Sequence, residues 1–293
     1  MIPSYYFIIN PASLKADKKT AAHISAFFEN REEKIEIVYW TKEQTVSSLV
    51  EKAHAAGFST IVACGGDGTI REVGKALMGT SLELGILPLG SGNGIARHYN
   101  IPKKLLAALK ILVQHKRQAM DVGKANEDYF FGNIGFGLEV DFIKAYQDKR
   151  RHGFGAYVVA LINALVSFRY KSFQLVVADK KRTLRPFIFL LSNTKDQGYG
   201  MRLTPEASSI DGQLQLAVVH KQAAISLGFL MLEVGLFKRP LRQNNVELQS
   251  IKNLTVVANE KNIAYQLDGE YLQGQSTKVE ITLLPKALQL IIP

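Results

Sequence analysis

The stretch at residues 61–74, Ile-Val-Ala-Cys-Gly-Gly-Asp-Gly-Thr-Ile-Arg-Glu-Val-Gly, limits the fold of this chain more than any other. Ile61, Val62 and Ala63 make a short apolar run of the kind a buried parallel strand uses. Gly65, Gly66, Asp67 and Gly68 follow with no bulky side chain among them, and Thr69 with Glu72 three residues on has the spacing of a capping box. The pattern predicts a strand, a tight glycine turn and a helix N-terminus. Such a turn suits phosphate, because backbone N–H groups can approach a ligand closely and the helix end adds partial positive charge and unpaired donors. Asp67 would repel a bare phosphate, so it points to a metal ion or to a hydroxyl whose proton must leave. A single glycine turn of this kind also occurs in ordinary α/β domains.

Residues 86–97, Ile-Leu-Pro-Leu-Gly-Ser-Gly-Asn-Gly-Ile-Ala-Arg, repeat the theme. Again an apolar run leads into glycines (Gly90, Gly92 and Gly94, with Ser91 and Asn93 between them) and then into a helical segment. Two such loops after consecutive strands would lie side by side at the carboxyl edge of one sheet, where open α/β folds bind ligands. The chain lacks Gly-x-x-x-x-Gly-Lys-Ser/Thr and the protein-kinase signature set, so any phosphate chemistry would use these loops instead.

Strand-like runs at 5–10, 35–40, 61–64 and 84–87 alternate with helical segments at 15–28, 45–56, 71–78 and 102–115, with Gly57 as a C-cap. This alternation predicts a Rossmann-like parallel α/β domain over residues 1–120. The grammar changes after about residue 118. Residues 278–284 alternate polar and apolar strictly, as a half-buried antiparallel strand does, and 213–219 and 129–134 also read as strands. Helical segments at 155–168 and 222–237 interrupt them. We read a larger, strand-rich second domain over 121–293, whose last strand can return to the first, with an active cleft between the two domains.

With 293 residues and 47% hydrophobic content the chain has ample material for a core, and a mean hydropathy of +0.01 fits a soluble globular protein. A lone Cys64 excludes a disulfide framework and fits a reducing, cytoplasmic setting; on a buried strand it reads as a small core residue. The net charge of +10 favours anionic partners, but no aromatic-basic or helix-turn-helix pattern supports nucleic acid. The run at residues 5–9 is too short for a signal peptide and lacks its basic start, and Glu233 interrupts the apolar segment 226–237, which is too short to span a bilayer.

In order along the chain, Asn10-Pro11, Gly65-Gly-Asp-Gly-Thr69, Pro88-x-Gly90-Ser91-x-Asn93, the 203–216 segment with Pro205, Ala207, Asp211, Gly212 and Leu214, and Asp268-Gly-Glu270 resemble the signatures of the diacylglycerol kinase catalytic domain family, which includes sphingosine, ceramide and bacterial lipid kinases. The resemblance covers residues 10–270. It implies a small α/β nucleotide domain of the NAD kinase/diacylglycerol kinase type and a larger antiparallel β-sandwich domain for the lipid. It also implies Mg2+-dependent transfer of the γ-phosphoryl of ATP to a lipid hydroxyl.

Carried onto this sequence, the resemblance puts the nucleotide against Asn10, Thr41, Gly65, Gly66, Asp67, Gly68, Thr69, Ile70, Arg71, Gly90, Ser91, Gly92 and Asn93. Glu270 becomes the base that takes the proton from the lipid hydroxyl, with Asp268 supporting it or binding magnesium-linked water. In sphingosine-type relatives the Asp of the first glycine loop holds that role, which keeps Asp67 in contention. A magnesium ion outside the phosphate site falls to Asp211 and the carbonyls of Leu214 and Leu216. Taken alone, Asp268-Gly269 and Asp211-Gly212 are also hairpin-turn signals.

Arg71 stands where many relatives have Asn, Gly94 where bacterial diacylglycerol kinases have Asp, and Leu14 where a Gly is expected, so the lipid remains open. An NAD kinase-like enzyme is an alternative, although its Gly-Ser-Thr-Ala-Tyr motif is missing, and a non-catalytic nucleotide- or lipid-binding regulator is another. The expected partners are ATP, a membrane lipid and an anionic membrane surface visited transiently from the cytoplasm, with homodimerisation left open. Basic clusters at Lys149-Arg150-Arg151, Arg169 with Lys171, Lys180-Lys181-Arg182, and Lys238-Arg239 with Arg242 offer the surface contact.

Overall fold

A computed structural model describes residues 2–13, 19–41, 43–147, 154–197, 202–220 and 246–293. The expected helix at 222–237, the start of the one at 15–28, and the clusters at 149–151 and 238–242 lie outside the described residues. The chain divides into two compact units, residues 1–120 with 286–293, and residues 121–285.

In the first unit β1 (Ser4–Ile9), β2 (Lys34–Tyr39), β3 (Thr60–Gly65) and β4 (Glu83–Pro88) alternate with α1 (Lys19–Phe28), α2 (Val46–Ala55) and α3 (Asp67–Leu77), and α4 (Gly94–His98) and α5 (Leu105–Gln114) follow. The strands pair in parallel in the order β2-β1-β3-β4. Every residue of β1, β3 and β4 is buried, which is why these strands read as continuous apolar runs. Local chemistry sets the helix ends. The Thr45 hydroxyl accepts the Ser48 N–H at 3.2 Å as the N-cap of α2, and α1 buries Thr20, Ile24 and Phe28 at helical spacing. The register places Ile9 opposite Cys64, and Cys64 opposite Leu87. The loops that follow β1, β3 and β4 therefore leave the sheet at one edge.

The second unit contains β6 (Asp128–Phe130), β7 (Asn133–Gly137), α6 (Leu138–Gln147), α7 (Phe154–Ser167), β8 (Phe173–Val177), β9 (Lys180–Leu184), β10 (Ile188–Ser192), β11 (Leu214–Val219), β12 (Val246–Ile251), β13 (Asn253–Ala258), β14 (Ala264–Leu267) and β15 (Glu270–Gln273). β5 (Lys116–Ala125) leads into it, and β16 (Lys278–Ile292) leaves it. One antiparallel sheet runs β12-β11-β10-β7-β14-β15; in the other, β16, β13, β8 and β9 pair antiparallel in that order. Phe136 stacks on Phe189 at 4.9 Å between ring centres, and both contact Phe173 of the other sheet, in a core that also holds Val256 and Ile281. This is the interdigitation of a β-sandwich. β16 contributes residues to both units, and Lys286, where the units meet along the chain, adopts φ 51°.

Three expectations shift. The strand expected at 129–134 is two strands, broken at Phe131 and Gly132, whose amides serve a carboxylate described below. α3 begins at Asp67, four residues before the expected start, because Gly66 already takes the extended N-cap conformation. Thr69 therefore lies inside the helix and is not its cap. α6 was not anticipated.

Candidate functional site

The two glycine loops touch. Leu89 and Gly90 both donate their N–H groups to the Gly65 carbonyl, at 2.9 and 3.2 Å. A Cβ built on Gly90 would fall 2.5 Å from the Gly66 Cα and 2.8 Å from Asn93 Oδ1, so only glycine allows this approach. Asn93, fully buried and left-handed at φ 53°, closes its own loop. Its Oδ1 accepts the Gly90 N–H at 3.0 Å and its Nδ2 donates to the Gly90 carbonyl at 2.7 Å. Arg97 Nε adds a bond to the Gly92 carbonyl at 3.1 Å.

Asp67 ties one loop to the other. Its Oδ2 accepts the Gly94 N–H at 2.9 Å and its Oδ1 the Ile95 N–H at 3.1 Å, so the carboxylate on α3 caps α4. Asn10, just past β1, donates from Nδ2 to Thr69 Oγ1 at 2.9 Å and accepts the Ala12 N–H on Oδ1 at 3.0 Å. Thr69 packs against Gly65, where an added Cβ would sit 2.2 Å from its hydroxyl. Gly66 at the N-cap has no side chain to occupy the first-turn N–H groups of α3, which start with Asp67, Gly68 and Thr69. Arg71 is buried and pairs with Glu72 at 3.3 Å, while Ile70 is fully buried, so neither stands on the loop surface. Ser91 and Gly92 lie partly exposed between the two strapped ends of their loop. Thr41 is exposed after β2 and bonds the Glu43 carboxylate, holding that carboxyl below its ordinary value. The sheet thus brings Asn10 and both glycine loops together. Burial pushes the Cys64 thiol up, in line with a core residue and not a nucleophile.

In the second unit, Asp268 and Gly269 form the two-residue turn between β14 and β15, at φ 49° and 85°, with Leu267 paired to Glu270. These angles are those of the primed hairpin turn. The turn and the motif are therefore the same object. The buried Asp268 carboxylate reaches back to the break between β6 and β7: Oδ2 accepts the Phe131 N–H at 2.8 Å, and Oδ1 accepts those of Gly132 and Asn133 at 2.7 and 2.8 Å. Glu270 opens β15, partly exposed.

Gln266 braces the same turn from β14. Its Oε1 accepts the Gly269 N–H at 2.9 Å, and its Nε2 donates to Asn133 Oδ1 at 2.6 Å and to Glu139 Oε2 at 3.3 Å. Glu139, in the first turn of α6, was missed from the sequence. Some of its surface is open to solvent, but its carboxyl packs over Gly135, and burial pushes it up to about 8, with the Gln266 bond working the other way. Gly135 inside a strand was the available signal, since a glycine there marks a close approach.

Asp211 is exposed at the turn before β11 and accepts the Gln213 N–H at 3.0 Å on Oδ1. The neighbouring Gly212 N–H goes to the buried Asp121 at 2.7 Å. Leu214 begins β11 and Leu216 lies within it, with β10 and β12 paired on either side. Among the basic clusters, Lys171 pairs with Glu260 and Arg182 with Glu247. No helix among the described residues is long and apolar enough to cross a membrane.

Residues 4–125 match the diacylglycerol kinase catalytic domain, and residues 132–292 match the YegS C-terminal NAD kinase beta sandwich-like domain. A protein of Yersinia pestis (strain Pestoides F) named "Probable lipid kinase YegS-like" is 31% identical over 251 residues, 83% of this chain and 82% of that protein. Among solved structures, a diacylglycerol kinase from Bacillus anthracis str. Sterne superposes with a TM-score of 0.73 at 17% identity, covering 99% of this chain and 97% of that one. Yeast NADH kinase complexed with NADH gives 0.56 at 8% identity, covering 100% and 84%. At such identities these two structures establish the fold alone. The two domain matches and the Yersinia relative establish more: the chain belongs to the YegS-like lipid kinases, built on the diacylglycerol kinase catalytic domain.

Proposed function

We propose that the protein transfers the γ-phosphoryl of ATP to a hydroxyl of a membrane lipid, of the diacylglycerol or sphingoid class, with Mg2+. The observation that carries this reading is the pair of glycine loops held in contact at the carboxyl ends of β3 and β4. Their backbone N–H groups, with the Ser91 hydroxyl, suit the phosphate chain at the N-terminus of α3. Asp67, Asn93 and Asn10 hold the loops in that shape, and the positioning is catalytic work in a reaction that needs little covalent help.

Glu270 acts as general base. Its carboxylate takes the proton of the lipid hydroxyl as that oxygen bonds to the γ-phosphorus and the bond to ADP breaks, a role worth roughly 100- to 10,000-fold in rate. Asp268 holds the turn that presents Glu270, its oxygens being bonded to three amides. Asp67 is bound in the same manner to Gly94 and Ile95, so it holds the loops together.

For Mg2+, the exposed Asp211 carboxylate and the Leu214 carbonyl at the start of β11 are hard oxygen donors and fit a hydrated ion. Leu216 does not fit, because a strand paired on both sides engages its carbonyls in the ladder. A magnesium ion there would brace the turn before β11 and add positive charge.

The test is transfer from radiolabelled ATP to a panel of diacylglycerol, sphingosine, ceramide, phosphatidylglycerol and NAD. Label entering one lipid and not NAD supports the reading; label entering NAD alone overturns it.

A further inference from the structure

α7 carries no charged residue, yet one side of it faces solvent. Val166 is 79% exposed, Ile162 53%, Val159 47% and Val158 36%, and no other described element exposes more than one large hydrophobic side chain. Spacings of three and four residues put the four on one stripe. The opposite side, at Ala160 and Ala164, is buried in a core with Leu138 and Phe142 of α6. A surface helix ordinarily presents Lys and Glu where α7 presents Val and Ile, and a contiguous exposed apolar face marks a site that something covers.

The charge around α7 says what covers it. Between Asp148 and Asp179 the chain contains no Asp or Glu and five cations: Lys149, Arg150 and Arg151 before α7, and Arg169 and Lys171 after it, Lys171 being paired with Glu260. A second copy of the chain would bring the same cations against themselves. An uncharged apolar stripe bracketed by cations is the composition of a helix lying in the plane of an anionic interface, its apolar side in the acyl boundary and its cations among the headgroups. At 14 residues, about 21 Å, α7 is too short to span a bilayer.

We propose that the face formed by Val158, Val159, Ile162 and Val166 inserts into the surface of an anionic lipid bilayer and seats the enzyme on the membrane that holds its substrate. The proposal rests on the reading that the phosphoryl acceptor is a bilayer lipid.

The test uses the full chain with Val159, Ile162 and Val166 all changed to Gln, a good helix former, at exposed positions outside the buried core of α7. Sedimentation with phosphatidylglycerol-containing vesicles should weaken about tenfold or more, from the loss of three inserted side chains. Turnover of lipid in vesicles should fall with it, while turnover of a monomeric short-chain lipid stays unchanged. Vesicle binding equal to wild type overturns the proposal, as does a wild-type dimer that becomes monomeric in the variant while vesicle binding is untouched. Val166→Trp gives an independent readout should the triple variant misfold. Its emission should shift to the blue with anionic vesicles, and an unshifted spectrum overturns insertion. Vesicle binding through α7 with no lipid phosphorylated would retain the inference and reject the lipid-kinase reading of the substrate; lipid phosphorylation indifferent to α7 would do the reverse.

Discussion

The Asp67 carboxylate holds the Gly94 N–H at 2.9 Å, so a charge seated on one glycine loop fixes the far end of the other. Asp67→Asn keeps one acceptor oxygen but turns an NH2 group towards an amide donor. Loop closure should suffer before chemistry does. KM for ATP should rise at least tenfold with turnover within a few-fold of wild type, and stability should fall by about 1–2 kcal/mol. A turnover loss of about 100-fold at unchanged KM would show that Asp67 is the base.

Gly90→Ala tests the contact between the loops. Its methyl would meet the Gly66 backbone at 2.5 Å, and backbone cannot swing aside as a side-chain tip can. Equilibrium dialysis with ATP should show binding reduced by an order of magnitude or more in a variant that still folds. Undiminished ATP binding would mean that the nucleotide does not use this pair of loops.

Glu270→Gln and Asp268→Asn should separate chemistry from positioning. The first keeps the side chain's shape and removes a proton acceptor on a partly exposed strand end, so turnover should fall about 100-fold or more. The second disturbs three buried amide bonds and should lower stability by about 2 kcal/mol or more. Equal and mild effects on turnover would remove the hairpin from the mechanism.

Much of this site could be read in the sequence, and what could not has a physical cause. The glycine runs showed where the chain must turn, and the apolar runs before them showed which edge they leave, because both signals are local. Asp268 is different. Its turn was legible from Asp-Gly, but its partners, Phe131 to Asn133, lie more than 130 positions away, and they divide what reads as one strand into two. Thr69 misled through its capping-box spacing, since a glycine at the N-cap started α3 earlier. Glu139 was harder to read because a lone acid at a helix start reads as favourable to the dipole; Gly135 four residues earlier signals a close approach but not which side chain makes it.

Glu139 also predicts a pH dependence. Folding raises its carboxyl from 4.5 to about 8, so the folded chain keeps a proton that the unfolded chain releases. Stability from this group is therefore present at low pH, is lost as pH climbs from about 4.5 to about 8, and is level above that. Glu139→Gln removes the titration and keeps an acceptor for Gln266. In urea melts the variant should gain on wild type as pH rises from 5 to 8.5, by about 2 kcal/mol after allowing for the part of Glu139 open to water. A constant difference across that range would show that the carboxyl is ionised throughout.

β16 has a consequence for how the molecule is made. Gln289 and Leu290 lie against Glu83 and Leu84 of β4, so the sheet bearing the glycine loops is finished by residues synthesised after the whole of the second unit. Until they arrive, β4 carries an open edge of fully buried, apolar character, which is the kind of edge on which chains aggregate. The nucleotide half of this enzyme precedes the second unit in the chain and closes after it. Shortening the chain at residue 285 would therefore damage the unit that is farthest away in sequence.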